Sequence, residues 1–349
     1  MAWDLIVVGA GIVGLASAFE VASSGLRVLV LERSRVAAGA SRVAAGMLAP
    51  PAEAHDMPDD VLQAGVQSAA AYPSFIQRIE ACGATAGFRA KGTLMVAADR
   101  DQAADLEQLA RSHERMGLSV DWLSVREILR TEPRLSPRLA GGLFLPDAHS
   151  VEPVALCQAL AHAVVQLGGE VRLGCEVTRI LGEESVEGVV CNEGELRAPR
   201  VLVAGGLRSA ALLDPFEPLP LRPVKGQVLH LRGEPLIERV VRSPRVYLVP
   251  HRDRLVVGAS EEELGEHDQP LAGVTMDLLY EAWRLLPGTY ELELEACVVG
   301  HRPCLRDGRP RISAVGPRGL LVATGHHRHG ILLAPWTGQR VLALLQDAL

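Results

Sequence analysis

The sequence predicts an α/β fold with two sheets of different character, one parallel and one antiparallel. Three observations predict it. Residues 5–14 read LIVVGAGIVG, a short apolar run rich in β-branched residues that meets Gly9, Gly11 and Gly14 in G-x-G-x-x-G spacing. Residues 221–300 hold several short apolar or alternating runs, the pattern of antiparallel strands. Residues 319–345 then return to a strand, a glycine-bounded turn and a helix.

The first stretch continues as a βαβ unit. An alanine-rich helical pattern follows at 15–22, then Gly25, then a second apolar run at 28–31 that ends in Glu32. This is the layout of a dinucleotide-binding unit. Gly9 lets the chain turn tightly, Gly11 lets backbone approach a pyrophosphate, and Gly14 lets helix and sheet pack closely. The helix N-terminus supplies N–H donors and a favourable dipole for phosphate. Glu32 lies close to the distance expected for bonding a ribose hydroxyl. Glycine-rich turns alone are common, but strand, helix and acid agree here, so the sheet is read as Rossmann-like.

Composition narrows the class. With 349 residues the chain can hold two interleaved domains, and 48% hydrophobic content fits a globular core. A net charge of −7 argues against nucleic acid, which needs a basic face. Six cysteines, Cys82, Cys157, Cys175, Cys191, Cys297 and Cys304, show no CxxC or metal spacing, so free thiols in a reducing compartment are expected. No signal peptide or membrane span is legible, and the cytoplasm is the expected location. A homo-oligomer is left open.

Taken in order, residues 37–50 form a small, glycine-containing, almost uncharged loop suited to a large flat ligand. Helical spacing covers 61–82, with Pro73 expected to kink or restart it. A strand at 92–97 is followed by helices at 99–116 and 124–132. Residues 142–153 read as a strand and a turn, and Pro153 opens a helix to about 168. Strands follow at 170–173 and 175–180, and a hairpin turns around 192–194. The buried run 200–206 ends in glycines, with a helix after it. Within 221–300 a helix is expected at 274–286 and a strand at 291–300. The resulting division assigns 1–86, 139–220 and 301–349 to a cofactor domain, and 87–138 and 221–300 to a substrate domain. His326, His327 and His329 crowd one turn, but no acid or cysteine lies nearby in sequence, so no metal is expected. No Ser/His/Asp or Cys/His triad is legible, which argues against a hydrolase.

Several stretches in the same order resemble the D-amino-acid-oxidase-like flavoproteins, and within them the glycine oxidases of the thiamine pathway. They are GAGIVG (9–14), GASRVAAGMLAP (39–50), RVLVAGG (200–206), PVKGQ (223–227), GHRPCLRDGRP (300–310) and VATGHHRHGILLAPWTG (322–338), with YLVP and RLVVGAS between. The resemblance implies a Rossmann-like FAD-binding domain with an interleaved α+β substrate domain built on an antiparallel sheet. It implies Gly9, Gly11, Ile12, Val13, Gly14, Glu32 and Arg33 as cofactor contacts, with Ala40, Ser41, Arg42, Ala45, Gly46 and Met47 from the loop. Val177 would meet the adenine through its main chain, and Ala204 and Gly205 would flank the nucleotide. His326, His327, His329, Gly330, Ile331 and Leu332 would wrap the flavin's pyrimidine edge. Arg302 matches the arginine that grips a substrate carboxylate, Arg328 a second arginine at the substrate–flavin border, and Tyr247 a tyrosine that bonds the carboxylate. A planar guanidinium suits this because it meets a carboxylate with two parallel bonds. Relatives with covalent FAD attach it at a position that falls on Gly300 here, so Cys304 is an ordinary thiol and non-covalent FAD is expected. Three positions depart from the glycine-oxidase pattern: Leu207 replaces tryptophan, Arg245 histidine and Glu261 methionine.

The activity implied is oxidative deamination of glycine, small amines or D-amino acids to a 2-oxo acid, ammonia and hydrogen peroxide, with oxygen as acceptor. The alternative is a D-amino-acid dehydrogenase using another acceptor. An NAD-dependent dehydrogenase and a catalytically dead flavin- or folate-binding module are the remaining rivals.

Overall fold

The computed structural model describes residues 3–50, 57–115 and 118–347. A six-stranded sheet has the spatial order Arg311–Ala314, Leu320–Thr324, Val201–Val203, Leu5–Val8, Val28–Glu32, Glu170–Leu173. All its neighbours are parallel except the edge pair Arg311–Ala314 with Leu320–Thr324. The four central strands are buried along their whole length, which is why they read as unbroken apolar runs. Residues 311–314 were not expected as a strand. None of the four is fully buried, as befits an edge, so no apolar run marks the strand.

Helix Ile12–Ser23 is buried almost all round. It packs in one apolar core with helices Asp59–Glu80, Pro153–Gln166 and Ala334–Asp347. Its approach to the sheet turns on Gly14, where a Cβ would lie 2.0 Å from the carbonyl oxygen of Gly9. Gly9 itself takes φ 110°, open to glycine and costly for other residues.

The second large sheet has eight strands, ordered Glu293–Cys304, Arg222–Arg232, Leu255–Gly258, Tyr247–Pro250, Val240–Arg242, Thr93–Ala97, Gly141–Leu145, Asp121–Leu123. It is antiparallel apart from one join, where Val240–Arg242 runs parallel to Thr93–Ala97. That join unites the two chain segments expected to form the substrate side. Strand Gly141–Leu145, grouped in sequence with the cofactor side, pairs with Thr93–Ala97 in this sheet. A separate core beneath the sheet includes Leu278, Ala282 and Leu285 of helix Ala272–Leu285 and Ile128 of helix Val125–Thr131. Ser124 and Glu127 cap the latter reciprocally.

Other elements correct the sequence reading. Helix Asp59–Glu80 runs through Pro73 without a break. Pro73 is on the exposed face, where its missing donor costs least. The strand expected to end at Gly300 continues to Cys304, held by the long partner strand Arg222–Arg232. Met116, the expected end of the helix that runs Arg100–Arg115, lies outside the described residues.

Gly14→Ala forces a methyl against backbone that cannot withdraw. Overpacking of this kind costs about 1–3 kcal/mol. The urea midpoint of unfolding should fall accordingly, and an unchanged midpoint would show that helix and strand can separate freely.

Candidate active site

A cavity of about 650 Å³ opens at the carboxyl ends of the central parallel strands and reaches the eight-stranded sheet. Crevices at strand carboxyl ends are where open α/β sheets bind ligands. From the first unit it is lined by Gly9, Gly11, Ile12, Val13, Glu32 and Arg33. The loop after it contributes Ala40, Ser41, Ala45, Gly46 and Met47. Val177, Ala204 and Gly205 complete one side, and His326, His327, His329, Gly330, Ile331 and Leu332 another. Tyr247, Arg302 and Arg328 also line it. Two expected contacts do not. Gly14 is inside the helix against Gly9, and Arg42 is exposed on the short helix Ala40–Val43.

The glycine turn is held from two directions. Ala10 N donates to Glu32 Oε2 at 3.0 Å, and Ile12 N donates to Ser41 Oγ at 3.0 Å. Glu32 Oε1 accepts from Ser34 N at 3.0 Å. The helix that starts at Ile12 has no side-chain cap and no acid in its first turn. Apart from the neutral Ser41 hydroxyl on Ile12 N, the positive end of this helix faces the cavity, which suits a pyrophosphate. The glycine turn, the buried acid and the flat loop together fit FAD.

On the opposite wall the register of the eight-stranded sheet assembles the polar groups. Val224 pairs with Arg302, Gly226 with Gly300, Val228 with Gly258, and Gly258 with Tyr247. Alternation along a strand puts these residues on one face and sends Lys225, fully buried, to the other. A Cβ on Gly226 would lie 2.6 Å from Arg302 Nη2, so the guanidinium rests flat on bare backbone. Arg302 Nη1 donates to the carbonyl of Lys225 and Nη2 to that of Ser260, each at 3.2 Å. These neutral acceptors fix the fork and leave its charge for a ligand.

The C-terminal turn carries a further cation. Arg328 Nη1 is 3.8 Å from Glu261 Oε2. His326 bonds Thr337 Oγ1 through Nε2 at 3.0 Å. Burial pushes the His326 imidazole down to about 3, with His329 adding to the effect. Burial also pushes His327 down to about 3, aided by the nearby positive charges of Arg328 and Arg302. Both rings are neutral at pH 7, so guanidinium groups supply the positive charge here. Tyr72 ties the turn down by donating its hydroxyl proton to the carbonyl of Ile331.

Gly226, Gly258 and Gly300 in the lining were missed as site residues. Glycine inside a strand was the available signal, since it marks close approach of another group. Arg242 and Ser260 also line the cavity, with no local pattern to single them out, and so does Arg245, noted in the sequence only as a departure from the glycine-oxidase pattern.

The family model for FAD dependent oxidoreductases matches residues 4–344. Glycine oxidase of Geobacillus kaustophilus is 33% identical over 352 residues, covering 99% of this chain and 93% of that protein. Glycine oxidase of Bacillus licheniformis is 32% identical, covering 98% and 93%. The crystal structure of the Geobacillus kaustophilus glycine oxidase superposes with a TM-score of 0.90, covering 99% of this chain and 95% of that one.

The neutral histidines make stability fall in acid. His149, His230 and His251 are also held below their ordinary value by burial. An unfolded chain titrates these rings near 6.5, so below that pH it binds more protons than the fold does. Stability should therefore drop as pH falls from about 6.5 towards 3, a loss that urea titrations at about pH 7.5 and 5.5 would register. His327→Gln should flatten the drop. An unaltered pH dependence in that variant would place the ring in solvent.

Proposed function

Since the chain belongs to the family of FAD-dependent oxidoreductases, we propose that its cavity binds glycine and related small amines by the carboxylate and presents the α-carbon to FAD. The enzyme catalyses FAD-dependent oxidative deamination of glycine and related amines. The observation that carries the binding reading is Arg302, laid flat on Gly226 in the cavity that the glycine turn also lines.

The six-stranded sheet is the cofactor side and the eight-stranded sheet the substrate side. Gly9, Gly11, Ile12 and Val13 would hold the pyrophosphate, and Glu32 the adenosine ribose. Glu32 already accepts from Ala10 N, so it would order the turn as well as the ligand. His326 to Leu332 would border the flavin. The chemistry supplied by bound FAD would be a hydride acceptor for the α-hydrogen and a route for the electrons to oxygen, with hydrogen peroxide as product.

The protein's own residues orient and select. Arg302 would take the carboxylate with two parallel bonds, and Tyr247 would donate its hydroxyl to the same group. The positive charge of Arg302 disfavours a second positive charge beside it and so favours the neutral amine. A neutral amine needs no strong general base. The imine formed from glycine adds water and yields glyoxylate and ammonia. Relatives named as oxidases support oxygen as the acceptor over another carrier. The cysteines described are all free thiols, in keeping with the reading of a cytoplasmic enzyme.

FAD should be tightly but not covalently held, since Gly300 stands at the expected attachment position and Cys304 is buried. Acid precipitation should leave the yellow colour in the supernatant, whereas flavin retained in the pellet would mean a covalent bond.

The functional reading is tested by adding glycine to the yellow protein without air. Flavin absorbance should bleach, and readmitted oxygen should restore it with release of peroxide. Losing one member of a desolvated charge pair costs about 2–5 kcal/mol. Arg302→Ala should therefore lower kcat/KM for glycine by roughly thirty- to several-thousandfold. Arg302→Lys should recover only part of this, and FAD content should stay normal. Wild-type kcat/KM in an FAD-replete Arg302→Ala protein would remove Arg302 as the anchor.

A further inference from the structure

Three acids line the cavity among the described residues: Glu32, Glu176 and Glu261. Glu32 is occupied at the glycine turn, and Glu176 follows the strand Glu170–Leu173 on the six-stranded side. Glu261 alone follows a strand of the eight-stranded sheet, Leu255–Gly258, on the wall that holds Arg302 and Tyr247. Its carboxylate lies 3.8 Å from Arg328 Nη1 and 3.9 Å from His327 Nε2. The imidazole is neutral, so the charge that faces Glu261 is the guanidinium of Arg328.

The segment that carries Glu261 is pinned on both flanks. Ser260 Oγ accepts from Gln227 N at 2.8 Å and donates to Glu262 Oε1 at 2.6 Å. Glu262 exchanges two backbone hydrogen bonds with Lys225, of 2.9 and 3.0 Å. Its side chain meets the buried Lys225 Nζ at 3.1 Å. That ammonium also donates to the Gln269 carbonyl at 2.9 Å, which holds down the chain beyond. Glu262 is thus committed to Lys225, while its neighbour Glu261 lines the cavity with 49% of its side chain exposed.

We infer that Glu261 is a charge-selecting residue that offsets Arg328 and repels a second carboxylate, so that the site takes monocarboxylic substrates and rejects dicarboxylic ones. The inference rests on the reading of Arg302 as the carboxylate anchor. Arg302 and Arg328 differ in what they meet. Arg302 touches neutral carbonyls and keeps its charge for the ligand, whereas Arg328 meets a carboxylate. A substrate gripped by Arg302 that carried a further carboxylate to Arg328 would bring it beside Glu261, which stands 3.8 Å from that guanidinium. Discrimination by such a built-in repulsion needs no lost contact to the preferred ligand. Two like charges a few ångströms apart in a partly desolvated site oppose binding by roughly tenfold or more. Small amino acids with neutral side chains pass this filter, and an acidic side chain or a second carboxymethyl group on nitrogen does not.

The test compares two ligands of nearly equal shape that differ in charge. Malonate and its monoamide malonamate are titrated into the FAD-loaded enzyme at about pH 8, where carboxylic acids are ionised. Binding is read from perturbation of the flavin spectrum. In the wild type, malonamate should bind at least about tenfold more tightly than malonate. In Glu261→Gln the two should come within about threefold of each other, while Glu261→Asp should keep the preference. A purely structural role would weaken both ligands together and leave their ratio alone. Equal binding of the two by the wild type, or a preference that survives Glu261→Gln, overturns the inference. So does failure of both ligands to bind where acetate binds, because the pocket would then have no room beside Glu261. Failure of acetate itself to bind, or of glycine to bleach the wild-type flavin, would instead count against the carboxylate anchor and the amine-oxidase reading.

Discussion

Gly14 lies so close beneath the carbonyl of Gly9 that a single methyl group could not pass between them. That separation sets how near the first helix stands to the first strand, and most of the site depends on it. With the helix at this distance, Ile12 begins its first turn at the carboxyl end of the sheet. Ala10 N reaches Glu32 at the end of the next strand, and Ile12 N reaches Ser41 in the loop beyond. Three separate stretches of chain thereby become one wall. The wall presents a helix start with no acid in its first turn, an arrangement that favours an anion beside it.

The opposite wall is built on a different principle, the two-residue period of a sheet. Arg302, the glycines beside it and Tyr247 share one face because their registers coincide across four strands. Glycine at 226 turns a stretch of sheet into a shelf on which a guanidinium can lie. The same period sends Lys225 to the other face, where it fastens the segment that carries Glu261. Shelf and fastening thus come from adjacent residues of one strand, Gly226 and Lys225. Neutral imidazoles at His326 and His327 keep positive charge confined to the guanidinium groups, so the placement of a few arginines and one glutamate sets the electrostatics of the substrate end.

The βαβ unit was legible because each requirement is local. Strand, glycine turn, helix and acid follow one another within 28 residues, and each residue type has one physical task. Most elements elsewhere were legible as well, including the strands at 170–173 and 320–324 and the capped helix after Ser124. The fresh start expected at Pro73 is absent because residues on both sides of it, Leu62 and Ile76 among them, bury into one core, a gain that no local pattern records. The end of the strand at Cys304 was set by its partner Arg222–Arg232, about eighty residues earlier in the chain.

By itself, the sequence determined the parallel sheet, the glycine turn and the acid at Glu32 and, through motif resemblance, pointed to Arg302, Arg328 and Tyr247, which all line the cavity. These are properties of short stretches, where periodicity and residue type act directly. Only the tertiary structure decided which wall each group stands on. It placed Gly226 beneath Arg302, drew Gly141–Leu145 into the eight-stranded sheet and brought Glu261 to Arg328. Those relations depend on strand register and on the parallel join between Val240–Arg242 and Thr93–Ala97, pairings between residues far apart in the chain. Local patterns carry no record of such pairings, because the free energy that selects them comes from burying two distant faces together.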